Sequence, residues 1–469
     1  MRSLAPILAS TVLLAACSDP SARPTVVLVT LDTTRAENLS TYGYERSTDP
    51  FLSELAGRSI VFERAYSSTT WTLPSHVSMF TGLAPAEHGV WFRIEQREGR
   101  TTFPMVGDAQ PLFTDGLSEA GYHLIGAAGG PYCRSLYGLA RHFDEYEEPS
   151  NVAEAGAGGE WQLTGAEINR RLFEHLDAAP TDRPLFLFVN YFDAHAPYEP
   201  PQDRDYPFPV EGDLSPLLDV DALPIPMPDM TEWVARGEAI LPEYEALAEA
   251  LYDQELLIQD EALAALWAKL EALGRLEDAL VIITADHGEM FGEQPLAYGH
   301  SDRPWEPATR VPMVVFRTGA EPARVDGPVS VQQVATTILD ELELPALPPP
   351  AAGALPSLLA ANPIPPQAHS ELHTPDDWVH ALHAGESKLW AEYVTRGEDR
   401  VPPLTYVLRA ADEDAETLAD PSRLPTDPVL AERLEELRAG WEAAPDLSSY
   451  TLLSDDDLAG LKAMGYVDD

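Results

Sequence analysis

Eight side chains in this chain of 469 residues combine a type that holds cations, attacks esters or moves protons with a telling place in the sequence: Asp32, Thr72, His76, Asp193, His195, Asp286, His287 and His300. Five of them follow apolar runs. Asp32 ends the run Val26–Leu31, Asp193 and His195 follow Leu185–Val189, and Asp286 and His287 follow Leu280–Thr284. One aspartate after a strand is most often a helix cap or a turn residue. Three such strand ends together carry more weight, because the carboxyl ends of strands in an open α/β sheet border one crevice. Carboxylate oxygens gathered there suit Ca²⁺, Mg²⁺ or Mn²⁺, and an imidazole among them pulls the set toward Zn²⁺. A histidine near neutral pKa can protonate a departing alkoxide or, deprotonated, ligate a metal.

The elements that must position these residues are legible as alternating patterns. Val26–Leu31, Ile60–Phe62, Leu124–Ala127, Leu185–Val189, Leu280–Thr284 and Val311–Phe316 read as strands, several of them apolar on both faces. Between them, helical patterns cover Phe51–Ala56, Pro74–Phe80, Leu112–Ala120, Gly165–Ala178 and Tyr244–Leu273. The alternation predicts an α/β fold: a mostly parallel central sheet with helices on both faces. Residues 200–230, crowded with proline and aspartate, form an expected lid or specificity loop. The catalytic domain is expected over residues 25–345, a Pro/Ala-rich junction over 346–366, and a small C-terminal α+β subdomain with its tail over 367–469. In that subdomain strands are expected near Lys388–Tyr393 and Leu404–Leu408, and a helix near Pro428–Trp441.

The formal charge of −47 argues against nucleic acid as a partner, since a phosphate backbone needs clustered Lys and Arg. Hydrophobic residues make up 45% of the chain, enough for a large core. At the N-terminus, Arg2 precedes an apolar run from Leu4 to Ala16 that ends in Leu14-Ala15-Ala16-Cys17. This looks like a bacterial lipoprotein signal over residues 1–17, with lipid on Cys17, a tether over 18–24 and export to the outer membrane as the expected localisation. With Cys17 lipidated, Cys133 has no partner for an intramolecular disulfide.

Three segments together resemble the sulfatase-like branch of the alkaline-phosphatase superfamily: Val29-Thr30-Leu31-Asp32-Thr33-Thr34-Arg35; Trp71-Thr72-Leu73-Pro74-Ser75-His76 with Thr81-Gly82; and Thr284-Ala285-Asp286-His287-Gly288-Glu289. The resemblance runs from about Val26 to Phe316 and extends weakly into Leu453–Tyr466. It implies that Asp32, Asp286 and His287 hold a divalent metal of unresolved identity, with Thr72 joining them as the metal-bound nucleophile. Thr72 falls where sulfatases carry the cysteine that becomes formylglycine. Threonine cannot be converted in that way, and Thr-x-Pro-Ser-His is instead similar to the Thr-x-Pro-Asn-His of nucleotide pyrophosphatase/phosphodiesterases. A hydroxyl becomes a competent nucleophile beside a cation, and a helix start offers free backbone amides to an anionic ester. Thr72 also reads as a helix N-cap.

By the same resemblance His76 contacts the transferred group or Thr72, although a structural role fits a lone histidine equally. His195 matches the family histidine near the leaving group, and His300 falls where sulfatases carry a lysine or related branches a histidine. Asp193, His195 and His300 together offer a second metal site, but the tight Asp-x-His spacing favours proton donation and one metal. Thr33 stands where many sulfatases have a second aspartate ligand, and the Lys-x-His pair that helps bind sulfate in arylsulfatases is not evident near Gly121–Arg134, where Arg134 is a candidate substitute. These departures shift the balance toward phosphate mono- or diesters. The expected function is metal-dependent hydrolysis of a phosphate or sulfate ester through a covalent Thr72 intermediate. A phospho-headgroup transferase and a catalytically silent surface-binding protein on the same scaffold are the alternatives.

Overall fold

A computed structural model describes residues 23–452, less 92–94, 98–99, 150–161, 202–203, 209–241, 295–296, 301–302, 351–352, 366–367, 374–376, 385–386, 397–398, 401–403 and 409–447. Most of the expected 200–230 loop, the expected helix at 428–441, the lipoprotein signal and the 453–466 tail therefore lie outside the described residues.

Nine strands make the central sheet: β1 (Thr25–Leu31), β2 (Ile60–Tyr66), β3 (His123–Ala128), β4 (Glu145–Glu147), β5 (Leu185–Tyr191), β6 (Ala279–Thr284), β7 (Arg310–Val311), β8 (Met313–Arg317) and β9 (Ala323–Ser330). Their order is β7-β2-β8-β6-β1-β5-β3-β4, with β9 beside β2. The run β6-β1-β5-β3-β4 is wholly parallel, whereas β8 runs antiparallel to both β6 and β2. All seven residues of β1 and all seven of β5 are buried. Strands covered on both faces need continuous apolar sequence, which is why these runs do not alternate.

Helices cover both faces. They are α1 (Pro50–Ala56), α2 (Thr72–Thr81), α3 (Pro85–His88), α4 (Phe113–Glu119), α5 (Gly165–Ala178), α6 (Pro242–Ala272) and α7 (Gln333–Glu341). Along β5, successive side chains take opposite sides. Phe186 and Phe188 meet Phe113 of α4 and Phe80 of α2. Tyr191 turns the other way, its hydroxyl donating to Asn169 Oδ1 on α5 at 2.7 Å. The helix α2 stops at Gly82, whose left-handed φ of 73° closes the last turn at a position glycine occupies without strain.

The expected C-terminal strands are present as β12 (Ser387–Arg396) and β13 (Leu404–Leu408), joined antiparallel to β10 (Ala368–His373) and β11 (Asp377–Ala384). The sheet is bonded directly to the catalytic half: Glu371 N donates to Ser68 O at 2.8 Å and Ser370 Oγ to Ser67 O at 2.5 Å. The strand Ser448–Leu452 also returns to pair with Arg100–Val106. The proline-rich junction is pinned as well, because Gln333 Nε2 of α7 donates to the carbonyls of Pro356 and Pro363, both at 2.8 Å.

Candidate active site

Three neighbouring strands, β6, β1 and β5, deliver the site. Thr30 of β1 is in register with Thr284 of β6 and Asn190 of β5, so Asp32 and Asp286 emerge side by side two residues later. Both carboxylates are fully buried. Ligand atoms of Asp32, Asp286 and His287 all lie within 4.8 Å of one another, and the Thr72 hydroxyl stands 3.3 Å from His287 Nε2. The structure thus brings together residues separated by more than 200 positions.

Each ligand is held from behind. Asp286 Oδ1 accepts from Thr33 N at 3.1 Å and from His287 N at 2.9 Å. Asn190 Nδ2 donates to Asp32 Oδ2 at 3.1 Å. His287 Nδ1 faces the Gly288 carbonyl at 3.0 Å; a carbonyl only accepts, so the proton sits on Nδ1 and the Nε2 lone pair points toward Thr72. Gly288 is required for packing, since a Cβ there would lie 2.0 Å from Pro307 O. Thr33 adopts a φ of 52°, a strained conformation for a β-branched residue, and in that conformation its N–H reaches Asp286.

Among the described residues, Asp32 Oδ1 and Asp286 Oδ2 are buried with no hydrogen-bond partner. Burial, followed by the like charge of Asp286, pushes Asp32 well above the usual carboxylate range. Burial would raise Asp286 too, but His287, His76 and two backbone N–H groups hold it below that range. Two dry carboxylates at this spacing repel each other, and a cation between them relieves both the repulsion and the missing hydrogen bonds. Asp32, Asp286 and His287 therefore fit a divalent metal.

Thr72 is the first residue of α2, with Trp71 at the cap position, so its hydroxyl makes no N-cap bond. His76 borders the carboxylate pair, its Nδ1 lying 3.8 Å from Asp286 Oδ2, but its hydrogen bonds go elsewhere. Its ring is fully buried beneath Thr72, with Nδ1–H donating to the Thr72 carbonyl at 2.8 Å and Nε2 accepting from Thr30 Oγ1 at 2.9 Å. This geometry fits the structural alternative better than contact with the transferred group. Replacing His76 by Leu takes the acceptor from the Thr30 O–H, whose oxygen keeps only the Asn190 amide, and a side-chain donor from the Thr72 carbonyl, which should destabilise the protein by about 2–4 kcal/mol. Chemical denaturation of the variant measures this loss, and an unchanged midpoint would refute the supporting role.

His300 and His195 continue the line of rings. His300 lies 4.4 Å from His287 and His195 5.1 Å from His300, centroid to centroid. Burial pushes both down, His195 to about 3 and His300 to about 4, so both are neutral in the free protein. His195 Nδ1–H donates to Ala196 O at 2.6 Å, and His300 Nδ1 faces Glu289 Oε1 at 3.2 Å. Asp193 is turned away: both its oxygens accept from Gly165 N, at 2.9 and 3.0 Å, at the start of α5. Asp193, His195 and His300 are not among the sets of ligand atoms that converge within 4.8 Å in the described residues. The second metal site offered by the sequence is not assembled, because Asp193 caps a helix. Arg134 sits half-buried just past the turn Pro131–Cys133.

The sequence reading missed two residues with roles here. Asn190 orients Asp32, and its only signal was an amide ending an otherwise apolar strand. Glu289, fully buried behind His300 and raised by burial to about 7, was visible as the end of the Asp-His-Gly-Glu segment but had no assigned task. Removing the Asn190 amide as Asn190→Ala should weaken metal affinity by about 10–100-fold. Metal titration of stripped protein reads this directly, and an unaltered affinity would show that Asp32 needs no such support.

A family model described as Sulfatase matches residues 24–344. The chain belongs to the sulfatase family. An arylsulfatase of Clostridium perfringens is 23% identical to this sulfatase-family chain over 63% of the chain and 69% of its own length. The human N-sulphoglucosamine sulphohydrolase is 25% identical over 69% of the chain and 62% of its own length. The chain thus aligns with roughly two thirds or somewhat less of these relatives. Among solved structures, a phosphonate monoester hydrolase of Agrobacterium radiobacter superposes with a TM-score of 0.63 at 17% identity, covering 89% of this chain and 96% of that one. A protein solved with its substrate D-glucosamine-2-N,6-O-disulfate superposes with the same score at 16% identity, over 91% and 99%. The α/β architecture with its mostly parallel sheet is that of these neighbours.

Proposed function

We propose that this chain is a metal-dependent hydrolase of phosphate or sulfate esters that forms a covalent intermediate on Thr72. The observation that carries the reading is the pair of buried carboxylate oxygens, Asp32 Oδ1 and Asp286 Oδ2, without hydrogen-bond partners among the described residues, in one cluster with the imidazole of His287 beside the Thr72 hydroxyl. A divalent cation on Asp32, Asp286 and His287 would supply the positive charge that acidifies the Thr72 hydroxyl and offsets the negative charge of the ester. The Thr72 oxygen, its proton released to solvent water, attacks phosphorus or sulfur in line, and the bond to the leaving oxygen breaks on the opposite side. In the first turn of α2 only the N–H groups of Thr72 and Leu73 are available to the anionic group, because Pro74 carries none and Ser75 N donates to Trp71 O at 3.1 Å. His195 and His300, neutral in the free protein, take up a proton when an anion binds beside them and return it to the leaving oxygen. Water then cleaves the ester on Thr72, restoring the hydroxyl.

Stripped enzyme supplied with Zn²⁺, Mn²⁺, Ca²⁺ or Mg²⁺ and assayed on nitrophenyl phosphate, phosphodiester and sulfate substrates tests the reading. Turnover is expected only with added metal, on at least one of the three esters. Equal turnover of stripped and reloaded enzyme would reject it.

The Leu14–Cys17 segment supports export and lipid attachment on Cys17, with anchoring in the outer membrane. Among the described residues no helix is long and apolar enough to cross a membrane. Cys17→Ser is expected to move the protein from the membrane to the soluble fraction of its host, and unaltered membrane recovery would reject lipid anchoring.

A further inference from the structure

Away from Thr72, the described residues hold one other set of ligand atoms within 4.8 Å of one another: His369 and Glu371 of β10 with His380 of β11. All three residues are buried. Glu371 is in direct register with His380, and His369, two residues earlier, shares the same face of the strand. His369 Nε2 lies 3.1 Å from His380 Nδ1, His380 Nδ1 3.2 Å from Glu371 Oε2, and His369 Nε2 3.7 Å from Glu371 Oε2. A tetrahedral zinc ion with bonds of about 2.0–2.1 Å sets its ligand atoms about 3.3–3.4 Å apart, and the edges of this triangle straddle that separation.

Hydrogen bonding alone explains the triangle less well. His380 Nδ1 faces both partners at hydrogen-bond distance but carries at most one proton, so a straight N–H bond serves only one of them. A cation satisfies all three approaches at once. Glu371 is also oriented as ligands are, because its other oxygen accepts from Ala86 N of α3 at 2.5 Å.

We propose that His369, Glu371 and His380 bind a second divalent cation, of the zinc class, as a structural centre. Two imidazoles and one carboxylate favour zinc over Mg²⁺ or Ca²⁺, and a water completes the fourth position. The strand that supplies two of the ligands is bonded through Ser370 and Glu371 to Ser67 and Ser68, which open the loop leading to Thr72. The centre would fasten the C-terminal sheet to that loop.

The test is elemental analysis of full-length protein loaded with Zn²⁺ and dialysed against excess Mg²⁺ to clear the acidic surface. The double variant Asp32→Asn/Asp286→Asn disables the Thr72 site but leaves this one, so it should retain one equivalent of zinc. In Co²⁺-loaded form it should show the visible absorption of a tetrahedral ion. Adding Glu371→Gln and His380→Ala should abolish both signals. Zinc absent from the double variant, or zinc persisting after the Glu371 and His380 substitutions, would overturn the proposal. Failure of the Thr72 reading would look different, since wild type and the double variant would then hold equal metal.

Discussion

Thr72→Ala should lower ester turnover by on the order of 10³-fold or more while leaving the unfolding transition nearly in place. The expectation of intact folding rests on how little the hydroxyl does for the fold. Thr72 is the first residue of α2, Trp71 occupies the cap position, and the hydroxyl's one recorded contact is 3.3 Å to His287. Alanine is the best helix former, so the backbone loses nothing in the exchange. The hydroxyl is, however, the one that stands beside the ligand nitrogen of His287, whereas those of Ser67 and Ser75 are bonded to the Asp286 carbonyl. Steady-state rates together with a melting curve check both halves of the prediction. Retained turnover would move the nucleophile elsewhere, and collapse of the fold would show that Thr72 is structural.

Removing one member of the carboxylate pair should produce an effect of opposite sign on stability with and without metal. In the stripped protein burial and the neighbouring Asp286 charge hold the Asp32 carboxyl well above its usual range, so folding at neutral pH must fix a proton on it; Asp32→Asn removes that cost and should raise the melting temperature. In the wild type, a cation at 100 times its dissociation constant should add about 2.7 kcal/mol of stability, and that increment should vanish from this site in the variant. Activity should fall with it. Calorimetry of wild type and Asp32→Asn, each with and without metal after treatment with a chelator, gives all four values. If the stripped variant melts below the stripped wild type, the two carboxylates are not in the strained pairing described here.

Which parts of this site the sequence revealed follows from how far each signal reaches. Strands buried on both faces announce themselves as unbroken apolar runs, and an aspartate soon after each marks the crevice. Asp32, Asp193 and Asp286 were found in that way, and two of the three converge. Asp193 shows the limit of the signal: an aspartate leaving a strand looks the same whether it faces a cation or caps Gly165, and only the packing of α5 decides. His76 was ambiguous for a similar reason. Its partner Thr30 lies 46 residues earlier on a different element, so no local pattern reports that the ring is sealed under Thr72. The left-handed Thr33 gave no sign at all, because strain imposed by tertiary contacts leaves no mark in composition. The His369–Glu371–His380 group arises from the pairing of β10 with β11, and the His-x-Glu spacing on a strand was its only trace.

Peptide mass mapping of enzyme quenched in acid during turnover bears most directly on the claim that Thr72 carries the transferred group. The peptide containing Thr72 should gain the mass of one phosphoryl or sulfuryl group, and the gain should disappear in Thr72→Ala. A group found on another side chain would contradict the account, as would single-turnover kinetics in which product forms with no modified peptide at any quench time.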